Sequence, residues 1–363
     1  MSIILISLLV AALVTLGIMH LPPFGKTPSG ARLQRIERAS NYEKGSFKYP
    51  IETPMMSPEA SWWKLLRAYF NPVPNREPSH LLPVVKTDLK HLTGNEPMMV
   101  WFGHSSYFIR INGKNLLIDP VFSERTSPFQ FIGTKRYPGT EGYSIDDFPE
   151  LDAVIITHDH YDHLDYDSIL KLIPKTRHFH AALGVGEDLE RWGVKSETIT
   201  EYNWGDKGQI VPGMELIATP GRHFSGRGLI RGKTVWNSYV LRTPEHTLFL
   251  GGDSGYGPHF KEIGAQYGPF DMALLECGQY NAMWNLIHMM PEETAQAAID
   301  LRAKTLMPVH WGKFTLALHP WNEPIQRIVK KAAELHVPLA TPQIGQPIVL
   351  GQPYPTSSWW DIE

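Results

Sequence analysis

The sequence predicts an α/β fold in which sheets are sandwiched between helices. Three observations carry that reading. Short apolar runs split by turns begin at about Met98, the first of them join as hairpins, and later ones alternate with helical segments. The 363 residues are 42% hydrophobic and 20% charged, which suits one large domain or two closely packed ones with a proper core.

In chain order, residues 3–19 (IILISLLVAALVTLGIM) carry no charge and lie at the short end of what spans a bilayer. A basic n-region and an A-x-A cleavage pattern are missing, so residues 1–20 read as a retained hydrophobic anchor. Lys26, Arg32, Arg35 and Arg38 follow, and the positive-inside rule then leaves the main domain cytoplasmic. Residues 21–75 are rich in Pro, Ser and charge and read as an extended arm. Its one apolar cluster, Trp62, Trp63, Leu65, Leu66, Tyr69 and Phe70, has helical spacing. Such a stripe ordinarily packs on its domain; the alternative is a face for membrane or substrate.

Residues 76–352 make the main domain and 353–363 a C-terminal tail. MMVWF, SSYFIRI and NLLIDPV read as strands, the last two joined at Asn112-Gly113, a strong hairpin signal. AVIIT, MELIATP, VWNSYVLR, HTLFLGG, DMALLEC and TLMPVHW are further strands. Residues 166–172, 185–192, 292–302 and 324–335 have helical patterns, with Pro291 well placed as a first helical residue. A net charge of −3 and the lack of a basic–aromatic stripe argue against a nucleic-acid partner. The lone Cys277 excludes an internal disulfide framework and a thiolate-rich metal site, and reads as a small buried hydrophobe.

The chemistry starts at ITHDHYDHLD, where an apolar strand ends in three histidines and three aspartates. A solvated turn needs no such side chains. Imidazole and carboxylate together suit zinc, manganese or iron. His158 and His160, two apart, can point the same way and hold one ion, while Asp162 and His163 curl round to a second. Later apolar runs end in His223, Asp253 and His310, where loops at one sheet edge can converge. Each alone would be an ordinary loop residue. Together they make five histidines and two aspartates.

This order, His158-x-His160-x-Asp162-His163, then His223, Asp253 and His310, resembles the metallo-β-lactamase superfamily. The resemblance implies a four-layer αβ/βα sandwich with a dinuclear site along one edge of the two sheets. It assigns His158, His160 and His223 to the first metal and Asp162, His163 and His310 to the second, with Asp253 bridging. WFGHSSYFIRINGKNLLIDPVFSERTSP, LLECGQYNAMWNLIHMMPEETAQAAIDLRAK and MPVHWGKFTLALHPWNEP further resemble the N-acyl-phosphatidylethanolamine-hydrolysing phospholipase D family and its bacterial relatives. That likeness runs from roughly residue 41 to 324 and includes SNYEKGSFKYP. It implies a phospholipid substrate at a membrane and is compatible with a homodimer. Two departures are the hydrophobic start and the basic RHFSGRGL stretch.

Two divalent ions, zinc by ligand type with manganese or iron also compatible, would supply hydroxide near neutral pH for attack on phosphorus. The products from such a lipid are a phosphatidic acid and an N-acyl-ethanolamine. Besides Asp162, the catalytic candidate is His288, matching the family's histidine ahead of a PEE helix start; a second reading has it capping that helix. His104 is a candidate on the substrate side or as an outer hydrogen-bond partner of the metal ligands. Arg222 and Arg227 could hold an anionic phosphate, or face solvent. Trp284 and Met289 fit an acyl-chain groove, or ordinary core packing. Alternatives to the lipid phosphodiesterase are a lactonase or cyclic-ester hydrolase on the same metals, or a non-enzymatic membrane regulatory protein. A closed four-coordinate site would suit the last better than seven ligands do.

Overall fold

The computed structural model describes residues 2–58, 60–71, 73–94 and 96–362. The N-terminal part contains α1 (Ser2–Met19), α2 (Gly30–Glu37), the short strands β1 (Tyr42–Glu43) and β2 (Ser46–Phe47), and α3 (Trp62–Phe70). Then follow β3 (Met98–Trp101), β4 (Tyr107–Ile111), β5 (Lys114–Ile118), β6 (Ala153–Ile156), α4 (Tyr166–Leu172), β7 (Phe179–Ala182), α5 (Gly186–Arg191) and β8 (Ile199–Tyr202). The second half carries β9 (Lys207–Val211), β10 (Met214–Pro220), β11 (Asn237–Arg242), β12 (Thr247–Leu250) and α6 (His259–Tyr267). It ends with β13 (Met272–Glu276), α7 (Pro291–Asp300), β14 (Leu306–Val309), α8 (Glu323–Leu335) and β15 (Pro347–Val349).

Among the described residues these strands form two large mixed sheets, ordered β15-β3-β4-β5-β6-β7-β8 and β14-β13-β12-β11-β10-β9. Alternation along each strand explains the layers. Met99, Trp101, Tyr107, Ile109, Leu116, Ile118 and Ile155 share one core with side chains of the second sheet. Their neighbours Val100, Phe108, Leu117, Val154 and Ile156 point the other way, onto Ile169 and Leu172 of α4 and Leu189 of α5. Strands buried on both faces read as continuous apolar runs, as these do. Beyond the second sheet, α6, α7 and α8 bury Ile263, Ala295, Ala298, Ile325 and Ile328. The order is therefore helix, sheet, sheet, helix. The β4–β5 turn places Asn112 at φ 52° and Gly113 at φ 69°, the two left-handed positions that a type I′ hairpin needs.

Strand direction decides where loops meet. β5 and β6 run parallel, as do β12, β13 and β14, while β3 and β10 reach the same direction through one antiparallel neighbour. The carboxyl ends of β3, β5, β6, β10, β12, β13 and β14 thus share one edge, where open α/β sheets place their ligands.

The N-terminal expectations need correction. Residues 3–19 fall within α1, but among the described residues no helix is long and apolar enough to cross a membrane. Eighteen residues rise about 27 Å, short of a hydrocarbon core of about 30 Å. The orientation argument also loses three of its four charges. Lys26 pairs with Glu187, Arg32 with Glu187, Glu190 and Glu201, and Arg35 with Asp206. These contacts hold α2 against the domain, so part of the segment expected as an extended arm is a docked helix. The cluster at 62–70 does form a helix, with the Ser61 hydroxyl accepting from Lys64 N at 3.1 Å. It buries none of its side chains, and Trp62 and Trp63 are each 81% exposed.

Two buried histidines make stability pH-dependent. His180 of β7 faces the Tyr202 hydroxyl at 2.8 Å, and His259 sits between the Tyr49 hydroxyl at 2.9 Å and Ser254 Oγ at 3.1 Å. Burial pushes both down to about 3 from an ordinary 6.5. The unfolded chain therefore binds more protons between pH 3 and 6.5, so stability rises with pH across that window. It is lost as pH falls, by up to about 1.4 kcal/mol per unit for each histidine. In urea unfolding of chelator-treated protein at pH 7, 6 and 5, His180→Gln should lose stability less steeply than wild type. Equal slopes would remove His180 from this account.

Candidate metal centre

Each ligand-type residue reaches the shared edge because its strand stops there. Thr157 and His158 follow directly on β6, and the turn after them brings round His160, Asp162 and His163. His223 follows β10, Asp253 follows β12 and His310 follows β14. Among the described residues, His158, His160, His223 and Asp253 offer ligand atoms within 4.8 Å of one another. So do His104, Asp162, His163 and His310, and so do Asp253, Glu276, His288 and His310.

In the first group His158 Nε2 lies 2.9 Å and His223 Nε2 3.2 Å from His160 Nδ1. A tetrahedral ion bound at about 2.0–2.1 Å by imidazole requires nitrogens roughly 3.3 Å apart, close to these separations. Asp253 stands between the groups. Its Oδ2 is 3.8 Å from His158 Nε2 and 3.7 Å from His223 Nε2, while its Oδ1 is 3.2 Å from both His163 Nε2 and His310 Nδ1. Asp162 Oδ2 lies 3.6 Å from His163 Nε2 and 3.9 Å from His310 Nε2. His163 Nε2 and Asp253 Oδ1 are buried without a hydrogen bond, since their approach is misaligned for one. Buried polar atoms rarely go unsatisfied, and a cation between them would satisfy both. The donor set fits divalent ions.

Outer contacts aim these side chains. His163 Nδ1 donates to Asp119 Oδ2 at 2.8 Å, and the same carboxylate accepts from Thr157 N and Thr157 Oγ1. His223 Nδ1 donates to the Ile287 carbonyl at 2.9 Å. Ser105 Oγ lies 2.8 Å from His310 Nδ1. His104, Asp119 and His310 all have left-handed backbone, φ 53°, 40° and 66°, at a cost of about 1–3 kcal/mol each. His310 N donates to the His104 carbonyl and His104 N to the Trp311 carbonyl, which locks two of these turns together.

Protonation favours ligation. Burial holds His158, His160, His223 and His310 below the ordinary histidine value, hence neutral. Burial alone would raise Asp162 and Asp253, but neighbouring histidines, His163 foremost, outweigh it and hold both carboxyls well below their usual range. Against burial, the charges of Asp253, Asp162 and Asp119 raise His163 well above its ordinary value. To hold a cation His163 would have to give up that proton.

A family model described as the beta-lactamase superfamily domain matches residues 114–311. The chain belongs to the metallo-β-lactamase superfamily. An uncharacterized protein of Mycobacterium tuberculosis is 36% identical over 356 residues, 95% of this chain and 94% of that one. An N-acyl-phosphatidylethanolamine-hydrolyzing phospholipase D of Caenorhabditis elegans is 31% identical over 229 residues, 60% of this chain and 64% of that one. The fold also matches Igni18, a metallo hydrolase of Ignicoccus hospitalis, with a TM-score of 0.52, 23% identity, and coverage of 69% of this chain and 97% of that one. This superfamily member is a metal-dependent hydrolase.

Not every candidate residue of the hydrolase lies where the sequence suggested. His288 joins the cluster. His104 is fully buried, its Nε2 2.8 Å from Asp162 Oδ2 and its ring 4.0 Å from that of His310, so it packs on two candidate ligands and not on an open substrate side. Arg222 is engaged by Thr53 Oγ1 and by the Tyr256 and Glu52 carbonyls, which tie the N-terminal segment down. Arg227 donates to the carbonyls of Pro23, Asp159 and Leu164 and stacks on Tyr161. Both guanidinium groups are thus engaged by protein oxygens, while Arg227 Nη2 is buried without a hydrogen-bond partner among the described residues. Met289 is core, and the Trp284 indole donates to the Gln279 carbonyl.

Asp119 and Glu276, which hold His163 and His288, are residues of the candidate site that sequence reasoning missed. Both end apolar runs, NLLID and DMALLE, the signal that picked out Asp253. Burial raises Glu276 to about 7. Burial alone would lower His288, but the Glu276 charge and hydrogen bond outweigh it and raise His288 to about 9, so the pair carries a proton at neutral pH.

Proposed function

We propose that the protein is a dinuclear, zinc-dependent phosphodiesterase of the phospholipase D type, acting on N-acyl-phosphatidylethanolamine or a related phosphodiester lipid at a membrane surface. One observation carries the lipid reading. The loop after β10 holds His223 of the cluster near its start and Leu229 and Ile230 at its middle, exposed at 81% and 64%. Leu229 and Ile230 line a cavity of about 450 Å³ with Leu16 and Met19 of α1 and with Phe24. Phe24 packs on Phe129, which stacks on the exposed Phe131. Contiguous exposed apolar surface of this kind marks a site of interaction. A second cavity of about 370 Å³ reaches His223 and Phe224, walled by Tyr49, Thr53 and Met55. The N-terminal segment thus contributes to the space beside the metal cluster. The resemblance to the worm phospholipase D adds the phosphodiester chemistry.

When bound, divalent ions supply Lewis acidity and a water acidified enough to attack near neutral pH. In this proposal His158, His160, His223, Asp162, His163 and His310 would hold those ions, together with the Asp253 carboxylate that faces both groups of histidines. His288 gives the leaving oxygen its proton. Outer carboxylates and carbonyls keep each imidazole in one tautomer.

The test compares vesicles containing N-acyl-phosphatidylethanolamine with a soluble short-chain phosphodiester and a lactone, before and after chelation. Chelator-sensitive release of phosphatidic acid is expected. Leu229→Glu with Ile230→Glu should lower the vesicle-to-soluble rate ratio about tenfold or more, given the apolar area withdrawn from lipid. Lactone cleavage alone would overturn the substrate, and an unchanged ratio would overturn the surface.

A further inference from the structure

A histidine that protonates a leaving oxygen needs one ring nitrogen on the substrate side and the other held by the protein. His288 has that arrangement. Its Nδ1 lies 2.8 Å from Glu276 Oε2, whereas its Nε2 has no hydrogen-bond partner among the described residues and is not sealed from solvent. The ring packs 4.9 Å from His223 and 5.5 Å from His310, centroid to centroid, so Nε2 is held beside the cluster.

Glu276 is itself immobilised. It is the last residue of β13, buried, with Oε1 accepting from Ser254 N at 3.0 Å and Met289 N at 3.2 Å. Its carbonyl accepts from Thr294 Oγ1 at 2.8 Å in α7. The carboxylate is therefore clamped between the loop that carries Asp253 and the segment that carries His288. A buried carboxylate with both oxygens in use is costly unless its partners need it there.

We infer that Glu276 is the positioning residue for His288, taking the Nδ1 proton in a fixed hydrogen bond so that Nε2 faces the leaving group. The inference rests on the phosphodiesterase reading above. In the step it serves, water oxygen bonds to phosphorus and the bond from phosphorus to the leaving oxygen breaks. That oxygen keeps the electron pair and takes the Nε2 proton, departing as an alcohol. The proton lost by water passes to solvent, which later reprotonates Nε2.

Glu276→Gln keeps the size but turns an acceptor toward a donor. On a phosphodiester with an alkoxide leaving group, kcat should fall about 10–100-fold with KM little changed. On a p-nitrophenyl phosphodiester, whose leaving group needs no proton, the loss should stay within about threefold. His288→Ala should show the same selectivity, and the double variant should be no worse than either single one. Metal per chain, counted on purified protein, should match wild type. Equal losses on both substrates, additive losses, or a missing metal would each overturn the inference; the last would make Glu276 and His288 ligands.

A readout independent of turnover is the strongly downfield imidazole proton expected from Nδ1–H hydrogen-bonded to Glu276. It should vanish in both single variants, and its absence from wild type would also overturn the inference. If that proton is present but only carboxylic esters are cleaved, the substrate reading fails. The same comparison of alkyl and aryl leaving groups on those esters then supports or overturns the positioning role.

Discussion

Asp253→Ala is expected to lower turnover at least roughly a hundredfold and to leave less metal bound than wild type. The reason is geometric. One Asp253 oxygen faces His158 and His223, and the other faces His163 and His310, each at 3.2–3.8 Å. Alanine removes the carboxylate that faces both sets and leaves Asp162 as the sole carboxylate of the proposed ligands. Neutral imidazoles offset no cationic charge, so a single carboxylate would remain to balance the proposed ions. Asp253→Asn separates shape from charge, and its metal content should lie between those of alanine and wild type. Metal analysis and steady-state rates on purified protein decide it. Full metal with unchanged turnover would end the bridging assignment.

Asp119→Ala has the second largest expected effect, and it acts without touching the ions. Asp119 is buried and accepts from Thr157 N, Thr157 Oγ1 and His163 Nδ1. Its loss frees the His163 ring to rotate and change tautomer, which should weaken metal binding about 10–100-fold in a competing-chelator titration. It also strands three buried donors, so the apo protein should lose about 3–5 kcal/mol in urea unfolding. An affinity within twofold of wild type would show that His163 is oriented by its packing alone.

Much of the fold was legible because strand burial is a local pattern. MMVWF, SSYFIRI, AVIIT and DMALLEC announce themselves by unbroken apolar character, and Asn112-Gly113 by its turn chemistry. The strands at 179–182, 199–202, 207–211 and 347–349 were not read. KGQIV in β9 is half-exposed, and FHAA in β7 hides a histidine whose partner, Tyr202, lies on the next strand. Helix α2 was missed for a related reason: its buried surface is small, and Arg32 holds it through ion pairs to Glu187, Glu190 and Glu201. The span expected over residues 3–19 failed on length, since apolar composition says nothing about how far a helix reaches.

By itself the sequence determined the most apolar strands, the H-x-H-x-D-H turn and the candidate histidines and aspartates at later strand ends. Those features depend on neighbours a few residues away. Only the tertiary structure decided which isolated residues meet. Asp119, Glu276 and His288 acquire partners through the order and direction of strands, and Arg222 and Arg227 lose their freedom to distant carbonyls. A side chain's type is written locally, but its contacts are set by where the chain returns in space.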